Sequence, residues 1–136
     1  MTEFTSDNVI INSNREKVYD HLMDMANFEA LFPEDKISDF TATDTGFSVK
    51  IVGQGKIKLE RTSVVPNEKI TLSALDDKPF KMDLNIMLKD TDEGKTDGHI
   101  YAEADLNPFI KMVAKKPLAH LFNSMTAKLA TIIAAV

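Results

Sequence analysis

Apolar and polar residues alternate with a period of two through the middle of the chain. Phe47, Val49 and Ile51 alternate with Ser48 and Lys50, and Ile57 and Leu59 with Lys56, Lys58 and Glu60. Ile70, Leu72 and Ala74 alternate with Thr71 and Ser73. Phe80, Met82, Leu84, Ile86 and Leu88 form a fourth run, and Ile100, Ala102, Ala104 and Leu106 a fifth. Each run has one apolar and one largely polar face, the pattern of an antiparallel sheet covered on one side. Turn signals separate the runs: Asp44-Thr45-Gly46, Gly53-Gln54-Gly55, Pro66-Asn67, and the stretches 76–79 and 90–98. Short connections make neighbouring strands antiparallel, so residues 37–106 predict a meander of about six strands. Its first and last strands offer edges that could pair with another chain, though nothing in the sequence predicts a dimer.

The two ends of the chain read differently. Residues 3–12 predict a strand that includes Val9 and Ile11. Ser13 and Glu16 then stand at capping-box spacing, which predicts a helix start. Val18, Tyr19, Leu22, Met23 and Ala26 continue at helical spacing. Phe28, Leu31 and Phe32 predict a second short helix, ended by Pro33 because the residue before a proline leaves the helical region. At the far end, Leu118, Leu121, Phe122, Met125, Leu129, Ile132, Ile133 and Val136 form one regular stripe. A helix over 117–136 spans about 30 Å, enough to cross a sheet.

Pro117 interrupts this pattern. Asn107-Pro108 is a good helix opening, so 108–115 is expected to be a short helix of its own with Phe109, Ile110 and Val113 inward. A second helix would start at Pro117; the alternative is a single kinked helix, because proline lacks an N–H and its ring meets the carbonyl four residues back. Either the chain merely turns a corner there, or 108–116 flank the mouth of a cavity between sheet and helix.

Composition narrows the function classes. With 136 residues the chain fits one compact domain, 1–136. It has no cysteine, which removes disulfides and thiolate metal sites and suits a reducing cytoplasm. No apolar run is long enough to span a membrane, and no signal peptide is legible. A net charge of −5 with scattered lysines argues against a nucleic-acid-binding stripe. His21, His99 and His120 fall on polar faces without metal-ligand spacing. The stretch DTDEGKTDG, residues 90–98, lacks the ligand order of a calcium loop. Gly53-Gln54-Gly55 is followed by no helix that would cradle a phosphate. No metal, cofactor or catalytic constellation is implied. Tyr101, Glu103 and Asp105 would make an acid/base set, but the alternation puts their shared strand face outside.

Two stretches add a resemblance. VYDHLMDMANFEALFP, residues 18–33, is similar to the first helix, linker and proline-terminated second helix of the START-like (SRPBCC) superfamily. DLNPFIKMV, residues 105–113, is similar to the opening of that family's closing helix. The order of elements resembles the family over the whole chain. The resemblance implies an α+β helix-grip fold, a curved antiparallel sheet of about seven strands around a long C-terminal helix, with an apolar ligand often held between them.

The expected function is binding of a small hydrophobic molecule, such as a lipid, an isoprenoid or a polyketide-like ring. The expected lining is Phe32, Ile51, Leu59, Leu72, Met82, Leu84, Ala102, Phe122 and Met125. Arg61 joins them if alternation from Ile57 and Leu59 holds, since a buried arginine could orient a ligand carboxylate; a slip in phase near Val64-Val65 would return it to solvent. Small inward residues, Ala74, Ala102 and Ala104, either leave room for the ligand or let the helix approach closely. The alternatives are a cyclase- or dehydratase-like enzyme, for which Arg61 is the sole polar candidate, and a protein-interaction module with a filled interior.

Overall fold

The computed structural model describes residues 1–53, 55–76 and 80–134. The chain begins with β1 (Thr2–Thr5) and β2 (Val9–Ile11), followed by α1 (Arg15–Met23) and two 3-10 helices, Met25–Leu31 and Glu34–Lys36. The meander comprises β3 (Ile37–Ala42), β4 (Gly46–Ile51), β5 (Gly55–Val65), β6 (Lys69–Ala74), β7 (Met82–Asp90) and β8 (Thr96–Ala104). The closing helix α2 runs over Pro108–Ala134. The strands form one antiparallel sheet in the order β1-β8-β7-β6-β5-β4-β3, and β2 also pairs with β8. The last strand of the meander is therefore not an edge, because the N-terminal strands occupy it.

The predicted strand over 3–12 is broken in two. From Thr5 to Val9 the chain takes four steps while its partners Tyr101 to Gly98 take three. In the gap the Ser6 hydroxyl accepts the Ile100 N–H at 2.8 Å, and the Ser6 N–H donates to the Ile100 carbonyl at 2.9 Å. A side chain thus completes the ladder where the backbone swings away. Further irregularities lie in β3 between Ser38 and Thr41, where Asp39 has φ 53°, and in β5 between Arg61 and Ser63. Such bulges sharpen local twist and bend a sheet.

The helix start is corrected. Asn14, not Ser13, caps α1: its side-chain oxygen accepts the Lys17 N–H at 2.9 Å. The Ser13 carbonyl is instead held by the Thr96 hydroxyl at 2.8 Å, which ties the turn to β8. The second short helix is a 3-10 helix that Asp24 caps through the Ala26 N–H. It buries Met25, Phe28 and Leu31. Phe28 and Phe40 each stack on Phe47 with centroids 5.2 Å apart, and Phe32 meets Phe47 edge-on at 5.9 Å.

The closing segment is corrected as well. It is one helix with Pro117 inside it, not two. Asn107 caps it by accepting the Ile110 N–H at 2.9 Å. Phe109 and Val113 face solvent rather than the core; in residues 108–117 only Ala114 is buried and Ile110 half-buried. The helix meets the molecular body there on a narrow line, so other apolar residues of that stretch have nothing to pack on. Beyond Pro117 the expected stripe is buried at Leu118, Leu121, Phe122, Met125, Leu129 and Ile133 and half-buried at Ile132, while Val136 lies outside the described residues. Of the predicted turns, Gln54 and residues 77–79 lie outside the described residues, while Asn67 (φ 63°) and Gly94 (φ 73°) turn the β5–β6 and β7–β8 hairpins.

Candidate ligand site between the sheet and the closing helix

The alternation along β4, β5, β7 and β8 delivers one side chain in two to the concave face, and the α2 stripe descends on them. Where the middle of α2 crosses β4, β5 and β7, a small void remains. Phe32, Val49, Ile51, Ile57, Leu59, Met82, Leu84, Leu118, Leu121 and Phe122 line it, all apolar. Its volume is about 10 Å³, near that needed for one water and far below the roughly 300–1,000 Å³ of a ligand pocket. In this conformation the interior is filled.

Directly outside lies an open cleft of about 510 Å³, lined by Pro33, Lys36, Ile51, Val52, Pro117, Leu118, His120, Leu121 and Ser124. Ile51, Leu118 and Leu121 belong to both spaces, so they are the wall between void and cleft. Pro33 and Pro117 stand together on the rim, and Lys36 and His120 supply its charge-bearing groups.

Of the residues expected to line a ligand, Phe32, Ile51, Leu59, Met82, Leu84 and Phe122 surround the void. Leu72, Ala102 and Met125 are buried core residues elsewhere on the same interface. Arg61 is half-exposed beside the end of α1, where its Nη1 donates to the Met23 carbonyl at 3.5 Å. The phase slip falls just after it, at Thr62, and leaves residues 62–65 exposed. Unpaired carbonyls gather at a helix C-terminus and favour a cation, so Arg61 serves as a brace there. Val49, Ile57, Leu118 and Leu121 were missed as lining, although they continue the same strand alternation and helix stripe. Of the rim residues, Pro33 and Pro117 stood out in the sequence as helix breakers; that they meet Lys36, Val52 and His120 is not legible there, because the rim forms from three separate segments.

The acid/base set lies on the outer face, as the alternation predicts. The Tyr101 hydroxyl hydrogen-bonds Glu3 at 2.9 Å and Glu103 at 3.1 Å. The hydrogen bond to Glu3, then lost hydration, then Glu103 push its pKa up to about 12, the wrong direction for a base at neutral pH. Among the described residues no group of three or more His, Asp or Glu side chains is placed to hold a metal, and no helix is long and apolar enough to cross a membrane.

Solved structures match this architecture over nearly its whole length. A START superfamily protein from Mycobacterium smegmatis aligns with 96% of this chain and 98% of its own at a TM-score of 0.65 and 14% identity. The fold is START-like. XoxI from Bacillus cereus aligns with 98% of this chain and 96% of its own at a TM-score of 0.75, also at 14% identity. The Aha1 dimer from Colwellia psychrerythraea aligns with 96% and 97% at a TM-score of 0.64 and 15% identity. No family model matches the sequence, and no curated protein does.

Proposed function

We propose that the protein binds a small hydrophobic molecule between the sheet and α2, admitted through the cleft at Pro33 and Pro117. The carrying observation is the wholly apolar void behind that cleft, divided from it by three side chains, Ile51, Leu118 and Leu121. A lipid, isoprenoid or polyketide-like ring would insert its apolar body there. A polar or anionic end would remain at the rim beside Lys36 and His120. This division of labour is typical of pockets that bury apolar surface and fix orientation with a few polar groups.

A void of about 10 Å³ requires α2 to move for a ligand to enter. The features of α2 favour such motion in its first half. Residues 108–117 bury one side chain, whereas the second half buries a continuous stripe. Pro117, between the halves, removes one helical hydrogen bond. The wall residues Leu118 and Leu121 follow Pro117 directly and swing with the loosely packed first half as a flap, and the buried stripe from Met125 onward is its anchor. The START-like fold is compatible with this reading, but fold alone does not assign it. The void has no polar lining to support a cyclase-like reaction.

Native mass spectrometry of freshly purified protein, set against the denatured mass, tests the proposal. An extra mass on the order of a few hundred daltons, the size of a pocket ligand, is the expected result. A bare native mass together with no thermal shift from a panel of lipids and aromatic rings would overturn it.

A further inference from the structure

The first half of α2 presents an apolar face to solvent. Phe109 is 71% exposed, Met112 76% and Val113 58%. Their spacing, i, i+3 and i+4, puts them on one side of the helix. Ile110 and Ala114, four apart, take the side toward the body. At about 100° per residue, Lys116 falls within the apolar stripe and Lys111 and Lys115 flank its Met112 side. All three lysines are exposed, and among the described residues none is ion-paired.

Charge is segregated in the same sense. After Asp105 the chain carries four lysines and no aspartate or glutamate, so the residues up to Asp105 hold a formal −9 within a net charge of −5. The longest acid-free stretch of this acidic chain thus carries Phe109 and Met112, its two most exposed large apolar side chains after Met1 is set aside.

We propose that this face of α2, built from Phe109, Met112, Val113 and the three lysines, docks on an anionic lipid bilayer. Helices that lie in a membrane interface combine apolar side chains that enter the acyl boundary with lysines that reach the headgroups. Met112 and Val113, with Pro108, Pro117 and the three lysines, border an open hollow of about 690 Å³, and Phe109 is 71% exposed beside it; an apolar floor edged by lysines suits acyl chains beneath anionic headgroups. A two-fold-related second copy would set the lysines against their own image, a repulsive arrangement. The docking does not depend on a ligand in the interior. It leaves the Pro117 cleft beside the membrane surface.

Co-sedimentation of the full chain with vesicles tests this directly. Vesicles of phosphatidylcholine with phosphatidylglycerol should pellet the protein, and added salt should release it. Phosphatidylcholine alone should leave it in the supernatant. Each lysine removed should weaken binding about fivefold. Lys111→Glu/Lys115→Glu/Lys116→Glu and Phe109→Ser/Met112→Ser should each abolish pelleting with an unchanged melting temperature, since all five side chains are exposed. Wild-type protein left in the supernatant with anionic vesicles, or a triple reversal that pellets as well as wild type, would overturn the proposal. So would a dimer in light scattering that Phe109→Ser/Met112→Ser dissolves, which would assign the face to a second copy. Vesicle binding with a bare native mass would separate this surface from the ligand reading.

Discussion

The side-chain oxygen of Asn123 accepts the backbone N–H of Asp7 at 2.8 Å, joining the second half of α2 to the break between β1 and β2. The bond closes 116 residues of sequence and satisfies an amide that β8 does not reach. Replacing Asn123 with alanine removes the acceptor. The site is exposed, so water substitutes in part, and the expected loss is about 1 kcal/mol. That corresponds to a fall of about 4 °C in the melting midpoint, read by circular dichroism.

Pro117→Ala restores a helical N–H and relieves the clash with the preceding turn. The variant should be more stable by about 2 kcal/mol, below the full helix-interior penalty of proline because the native chain already accommodates it. Hydrogen exchange of the amides of residues 109–116 should slow at the same time. If the first half of α2 is the flap, ligand uptake should slow too, although the melting midpoint rises.

Phe122→Ala should cost about 4 kcal/mol. The ring is 1% exposed, borders the void and meets Phe4 edge-on at 5.4 Å. Chemical denaturation measures the loss. Removing the ring also enlarges an apolar space that small rings such as benzene can enter. Added benzene should therefore raise the midpoint of the variant more than that of the wild type.

Tyr101 gives a pH dependence with a definite sign. Its folded pKa of about 12 lies above the 10.0 of an unperturbed tyrosine, so between these values the unfolded chain has lost a proton that the folded chain keeps. The contribution to stability is full below pH 10, declines as pH rises through that window, and is gone above about 12. Phenolate absorbance in a Tyr19→Phe background should titrate late. Glu3→Gln should move the titration back toward the ordinary value, since Glu3 is the largest cause.

The sheet was legible because a period of two survives in every run, from Phe47 to Ala104. The closing stripe was legible because Leu118 to Ile133 never departs from helical spacing. What failed had a common cause. Ser13 and Asn14 are both good caps, and the hydrogen bond from Thr96 that holds the Ser13 carbonyl outside the helix comes from a strand 83 residues away. Phe109 and Val113 read as inward because periodicity locates an apolar face without saying whether anything covers it. Arg61 keeps the phase of Leu59, opposite Leu72, because the slip comes after it, but its side chain meets the end of α1, a long-range contact that no residue at 61–63 announces. The size of the void depends on ten side chains from several elements fitting at once, which no local pattern encodes.

The pairing of β1 and β2 with β8 also sets an order of assembly. Each hairpin from β3 to β8 joins neighbours that leave the ribosome in succession, so the meander forms from short-range contacts. The first strand must wait: Thr2 has no partner until Ala104 has been made, and Val9 none until Gly98. The concave face stays open longer still, until α2 emerges. A START-like chain of this topology closes its sheet and covers its core only once β8 and α2 have been made. A nascent chain arrested before Pro108 would hold out the apolar face of a nearly finished sheet, the state most in need of a chaperone.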